Sequence, residues 1–191
     1  MPVATPSTGG LNFQQLSYLT GGASRTSFGP TGVNPGATAA DNVLASFALP
    51  GSLFDGSSNR GVRITAFGTF AANTNVKTVK LIVNPATAVV GSTIGAGGTT
   101  LVTTGALSVA TNLQFFLEAM VVDVTGVNNQ LGIGLLSWWA VAGAPTFAAL
   151  VAPAAITADE TQPFLIAVTG NAATAVTDIS LLYFNVGNLN P

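Results

Sequence analysis

The 191-residue sequence contains neither cysteine nor histidine. Without cysteine there is no disulfide framework, no thiolate nucleophile and no cysteine-bound zinc. Without histidine the chain lacks the commonest general base and metal ligand. Charge is equally scarce, because charged residues make up 6% of the chain and only five of them are basic. So few basic residues cannot neutralise a phosphate backbone, and we expect no nucleic-acid partner.

The hydrophobic content, 48% of all residues, raises the question of a membrane span. The longest apolar stretch, 131–155, is free of charge, but no Lys or Arg follows Lys80 to orient a span. Glycine and proline interrupt this stretch at Gly132, Gly134, Gly143, Pro145 and Pro153. We therefore predict no membrane partner. Residues 1–10 also lack the basic and apolar regions of a signal peptide, so we expect synthesis in a cytoplasm without standard export.

Residues 1–40 are rich in Gly, Pro, Ser and Thr, with turn signals at 29–32 and 34–36. This composition predicts an extended N-terminal arm. Its apolar residues and its basic residue are candidate partner contacts: Leu11, Phe13, Leu16, Tyr18 and Arg25. We favour an arm that becomes ordered on a partner, and a terminus without fixed structure is the alternative.

From about residue 42 the sequence changes to short runs separated by turn residues. Residues 62–71 alternate between two sets of side chains, which is the period of a β-strand. Residues 76–83 form the predicted return strand, and Lys77 and Lys80 are both predicted to point outward.

The runs 113–124 and 130–141 are apolar at successive positions, which is typical of strands that are covered on both sides. Together with the other short runs they predict about eight to ten strands and no amphipathic helix. We therefore predict an all-β fold, an antiparallel jelly-roll β-sandwich over 41–191 with the extended arm over 1–40.

Carboxylates offer little catalytic chemistry in this pattern. Glu118 and Asp123 are five residues apart on one predicted strand, so they face opposite sides and cannot form a glycosidase pair. Asp159 and Glu160 lie in a predicted turn, where solvated side chains are the simplest interpretation. We predict no catalytic residue, no cofactor and no metal site, and hence a protein that is not an enzyme.

Trp138 and Trp139 are adjacent on a predicted strand, so their rings are expected on opposite sides. We favour one ring in the core and the other in a subunit interface, with stacking on a sugar or a base as the alternative. Both tryptophans join the candidate partner contacts. A lone sandwich with so little surface charge is expected to aggregate, so we predict that an oligomer or a larger assembly covers part of its surface.

Two segments resemble a known family. Residues 59–81, NRGVRITAFGTFAANTNVKTVKL, resemble a run in small β-rich virion proteins of tailed bacteriophages. Residues 178–186, DISLLYFNV, are similar to the last strand of those proteins, and 164–170 fit the same pattern. The resemblance covers about 42–190 and leaves the arm outside.

This resemblance implies a jelly roll, often trimeric, in capsid decoration (cement) proteins, head fibres or tail-associated subunits. We expect a decoration protein that binds the major capsid protein on the outer capsid surface of the virion. It would associate with itself as a homotrimer, through strand faces that include 113–124 and 130–141, and stabilise the shell against the pressure of packaged DNA.

Two alternatives stay open. The first is a tail fibre, spike or baseplate subunit that binds host carbohydrate. The second is a small jelly-roll capsid protein that forms the shell itself. A basic interior arm would favour the second, and the arm here carries only Arg25.

Overall fold

The computed structural model describes residues 40–54, 60–109, 111, 113–140, 143, 146–147, 153–172 and 178–189. These residues form strands, turns and loops without a helix, so the predicted all-β class is confirmed. The strands are β1 (Asn42–Leu49), β2 (Gly61–Phe70), β3 (Asn73–Pro85), β4 (Gly97–Thr103), β5 (Leu107–Val109), β6 (Leu113–Asp123), β7 (Gln130–Ala140), β8 (Thr146–Phe147), β9 (Ala154–Ile156), β10 (Phe164–Ala172) and β11 (Ile179–Asn188). Within the same residues, a helix with the length and apolar character needed to cross a membrane is not found.

The strands form two antiparallel sheets. Sheet I has the order β1–β10–β3–β4, with β5 also paired to β3. Sheet II has the order β11–β2–β6–β7–β8, with β9 also paired to β7. This arrangement is consistent with the predicted β-sandwich.

The jelly-roll topology is not confirmed. A jelly roll pairs its first strand with its last, whereas here β1 pairs with β10 and β11 pairs with β2. The hairpins β3–β4 and β6–β7 also each stay within a single sheet. The predicted arm, apart from Ala40, lies outside the described residues.

A single hydrophobic core lies between the sheets, and β2 shows how the sequence builds it. Val62, Ile64 and Ala66 are buried there, while the residues between them point outward, as the alternation predicts. Phe70 at the end of β2 packs against Phe115 of β6, with 5.0 Å between the ring centroids. Each fully buried side chain of this kind stabilises the fold by about 1.5–3 kcal/mol.

Strand β7 differs from β2, because two of its inward positions are glycines. A Cβ added to Gly132 would lie 2.5 Å from Leu101 Cδ2, and one added to Gly134 would lie 2.9 Å from Val102 Cβ. These glycines let β4 of sheet I pack directly on the backbone of β7. Three large aliphatic side chains of β7 alternate with these glycines and face outward, Leu131, Ile133 and Leu135, whereas Leu136 further along the strand is buried in the core.

The prediction that both lysines of β3 point outward is wrong for Lys77. Residues three apart on a strand lie on opposite faces, so only Lys80 points outward, and Lys77 is fully buried. Lys77 Nζ donates to Asn73 O (2.9 Å), Asn73 Oδ1 (2.7 Å) and Asn75 O (2.9 Å). Asp178 accepts from the Asn73 and Asn75 side-chain amides at 2.6 and 2.9 Å. Burial lowers the pKa of Lys77, and the Asp178 carboxylate partly opposes this by raising it.

Candidate functional site

The outward side of sheet II carries an exposed apolar surface. We call it the apolar face and define it by residues of four adjacent strands: Phe67, Phe116, Met120, Ile133, Trp139 and Tyr183. Residues that pair directly across two strands lie on the same face of a sheet. By this rule Phe67 lies between Tyr183 and Phe116, and Met120 lies beside Ile133.

Aromatic rings occupy one end of the apolar face. Phe67 and Tyr183 stack with 5.2 Å between their centroids and 13° between their planes, and they are 41% and 38% exposed. A β-bulge between Leu181 and Tyr183 brings Leu182 to the outward side as well. A pocket of about 270 Å³ lies beside these side chains. Its outward-facing lining is Phe67, Thr69, Gln114, Phe116, Trp139 and Leu182.

One ion pair interrupts the apolar face. Arg63 Nη2 of β2 lies 2.6 Å from Glu118 Oε1 of β6, and the two side chains are 56% and 30% exposed. Among the described outward positions of sheet II these are the charged side chains, so they cancel one another. The apolar face therefore carries no net charge.

The two tryptophans point to opposite sides of β7. Trp138 pairs with the buried Phe115 and packs against the core, whereas Trp139 pairs with Gln114 and belongs to the apolar face. The other candidate partner contacts lie outside the described residues and stay predictions: Leu11, Phe13, Leu16, Tyr18 and Arg25.

The outward side of sheet I is covered, and we call it the covered face. Val43, Ala167 and Thr169 point outward there and are at most 1% exposed. The segment 86–96 leaves the end of β3 and returns to the start of β1, on the far side of β10. Because the inner side of the sheet holds the core, this segment must cross the outer side.

Hydrogen bonds hold the covering segment in place. Val43 N donates to Ser92 O, and Gly91 N donates to Val43 O, both at 2.9 Å. Lys80 Nζ of β3 reaches across β10 to Asp41 Oδ2 at 2.6 Å. Backbone and side chain together therefore bury the middle of the covered face.

The carboxylates that the sequence analysis considered for catalysis lie on opposite sides of β6 or in a turn. Glu118 points outward and Asp123 is buried, so they occupy opposite sides of β6, as predicted. The hydroxyl and backbone N–H of Thr161 donate to Asp159 Oδ1 at 2.7 and 2.9 Å, which lowers the pKa of Asp159.

Glu160 Oε1 accepts from Asn128 N (2.8 Å) and Gln130 Nε2 (3.0 Å), which ties the β6–β7 turn to the loop before β10. Within the described part of the chain, a group of three acidic, histidine or cysteine residues that could hold a metal ion is not found. The apolar face is therefore the feature of the described residues that most clearly indicates a binding site.

Comparisons of the chain with protein-family models, with curated proteins and with solved structures give no match. The resemblance to bacteriophage virion proteins thus rests on the sequence segments alone. Two of those segments, 59–81 and 178–186, contribute β2 and most of β11, which pair and bring Phe67 against Tyr183.

The sequence analysis identified only part of the apolar face. It predicted outward apolar surfaces on 113–124 and 130–141, which are β6 and β7, but not the contribution of β2 and β11. A signal was available in β7, where small inward glycines alternate with large outward aliphatic residues. A one-sided sandwich strand has the reverse pattern, with its large apolar residues inward.

Proposed function

We propose that this chain is a structural subunit of a bacteriophage virion, of the capsid decoration (cement) type. It binds the major capsid protein on the outside of the assembled shell as an oligomer, a homotrimer by the family resemblance. Binding only the assembled state stabilises that state by linkage. The shell thereby gains resistance to the pressure of packaged DNA.

The apolar face is the observation that carries the proposal. Soluble monomers rarely expose a contiguous apolar patch larger than a few hundred Å² unless it serves binding. The aromatic rings, Met120 and Ile133 offer such a patch across four strands, with one ion pair within it. A protein whose most developed surface is apolar and neutral suits adhesion better than catalysis.

The resemblance of 59–81 and 178–186 to virion proteins supports the same assignment. The jelly roll that it implies is part of the proposal. Both sheets pair an early strand with a late one, although β1 pairs with β10 and not with the last strand. The two single-sheet hairpins would make it a variant form.

The residues of the arm complete the proposed mechanism. Residues 1–40 would extend over neighbouring shell subunits, with the body seated on a junction between them. Several weak contacts spread over different subunits give avidity without one strong site.

Quantitative mass spectrometry of gradient-purified particles tests the proposal directly. We expect hundreds of copies of this chain per particle, near or below one for each major capsid subunit. A few to a few dozen copies would instead assign the chain to the tail or fibres. Absence from the particles would overturn the virion assignment.

Deleting residues 1–40 tests the arm. We expect the truncated chain to keep its β-sheet circular dichroism and to lose binding to expanded shells in a sedimentation assay. Unchanged binding would contradict the role of the arm, while leaving the role of the body intact.

A second candidate function is host-carbohydrate binding by a tail fibre or spike, and the pocket at Trp139 favours it. Trp139 and Phe67 provide rings for stacking on a sugar, and the Gln114 amide provides a hydrogen-bonding group. This function predicts that host polysaccharide quenches tryptophan fluorescence and that Trp139→Ala abolishes the quenching. Quenching that survives in Trp139→Ala, or its absence in the unaltered chain, would exclude this pocket as the sugar site.

A further inference from the structure

The apolar face is large enough to form an interface by itself. Its four long strands, β11, β2, β6 and β7, contain 10 or 11 residues each. With strands about 4.8 Å apart and about 3.3 Å per residue, they present roughly 600 Å² in projection. Side-chain relief increases the accessible area beyond this value, and a stable interface buries about 800 Å² on each partner. The face is therefore of the size that a specific association needs.

The chemistry of the face identifies the kind of partner that fits it. Arg63 and Glu118 neutralise each other within the chain, so the occupant needs no complementary net charge. The rest of the face is mainly aromatic at one end and aliphatic at the other, where Met120 lies beside Ile133, with neutral polar side chains such as Thr65 between them. An occupant must therefore be mainly apolar, neutral and of similar extent, and the same face of other copies has these properties.

The inward packing of β7 gives an independent reason. Over residues 131–135 its glycines leave the inner side to Leu101 and Val102, and the large aliphatic residues between them face outward. In an isolated sandwich this arrangement leaves apolar side chains in water. The pattern is what a strand needs when both of its sides are buried.

We infer that the apolar face is the surface through which copies of this chain associate, each face being covered by the same face of its neighbours in the oligomer. The inference deepens the proposed function, on which its setting on a shell depends. The other surfaces of the sandwich and residues 1–40 then remain for contact with the shell.

The mass of the purified full-length chain in solution tests the inference. We expect light scattering after gel filtration to give an oligomer, and Phe67→Glu and Met120→Glu, each made singly, to give monomers. Val76→Glu is the matched control, because Val76 is 47% exposed on β3 of sheet I and receives the same change. It should stay oligomeric. A monomeric wild type, or oligomers that persist in both face variants, would overturn the inference.

Thiol accessibility provides a second readout with conservative substitutions that leave the fold intact. The chain has no cysteine, so Thr65→Cys introduces one thiol, next to Glu118 in the middle of the face. We expect its alkylation rate to fall at least several-fold as protein concentration rises through the association range. Thr78→Cys, outward on sheet I, should react at a constant rate. Protection of the Thr65→Cys thiol at every concentration, in a chain of monomeric mass, would mean that the chain itself covers the face and would refute the inference.

The two proposals fail in different ways. An oligomer that Phe67→Glu disrupts, with no chain found in particles, would retain the interface and remove the virion role. If the chain is abundant in particles but its mass in solution is unaffected by Phe67→Glu and Met120→Glu, the virion role would stand and the interface would be refuted.

Discussion

The outward sides of the two sheets differ in how far their side chains are buried. On sheet I the middle of the outward side holds Val43, Ala167 and Thr169, and the segment 86–96 with Lys80 covers them. On sheet II the outward side includes large apolar residues, such as Phe67 and Met120, which are about two-fifths exposed. The chain completes the burial of the first side from its own residues. It leaves the second side exposed.

The strongest test of this comparison places the same charge on each side. Ala167→Asp would bury an unpaired carboxylate on the covered face and lower the free energy of unfolding by about 3 kcal/mol or more. Ile133→Asp on the apolar face should cost about 1 kcal/mol or less, because its carboxylate reaches water in the monomer. Urea denaturation at concentrations below association measures both. Equal losses would show that the two sides are equally buried.

A second test compares the two sides of β7. Gly134→Val would drive a side chain into Val102 and Leu101 O, and overpacking of this kind costs about 1–3 kcal/mol. Leu135→Val removes one methylene from the neighbouring outward position and should cost less than about 1 kcal/mol. Thermal unfolding of the two variants gives the difference. A larger loss for Leu135→Val would contradict the assignment of inner and outer sides.

The smallest expected difference is between the two ion pairs. Lys80–Asp41 has side chains 31% and 17% exposed, and Arg63–Glu118 is more open. Exposed pairs contribute about 0.2–1 kcal/mol, so Lys80→Gln should cost near the upper end of this range and Arg63→Gln near the lower end. Double-mutant cycles with Asp41→Asn and Glu118→Gln give the coupling energies. A larger coupling energy for Arg63–Glu118 than for Lys80–Asp41 would contradict the expected difference between the two sides.

Local periodicity explains which parts of the fold were predictable. The alternation of β2 and the opposite orientations of Glu118 and Asp123 follow from a period of two residues, which is a property of the strand itself. The same rule applied to Lys77 gives its inward orientation, which the sequence analysis missed. Its burial then depends on Asn73 and on the distant Asp178, whose contact with the β3 strand a local pattern does not contain.

Strand order and the apolar face depend on long-range pairing. The pairing of β11 with β2 joins residues more than a hundred positions apart, so the stack of Phe67 on Tyr183 has no sequence signal. The bulge that turns Leu182 outward is equally invisible to a regular alternation. The outward aliphatic residues of β7 were predictable, because they alternate with glycines within one strand.

The hydrogen bonds from 91–94 to the start of β1 also limit which backbone groups of sheet I another chain can pair with. A strand at the border of a sheet offers unpaired backbone groups to any extended chain, and this is a common route to fibrous aggregates. Here Ser92 and Gly91 occupy the backbone groups of Val43, and Thr93 bridges Asn42. At the start of β1, sheet I is thereby protected from growing by the addition of a foreign strand. In the proposed setting on a shell, where copies would stand close together, this protection would keep them from adding strands to one another.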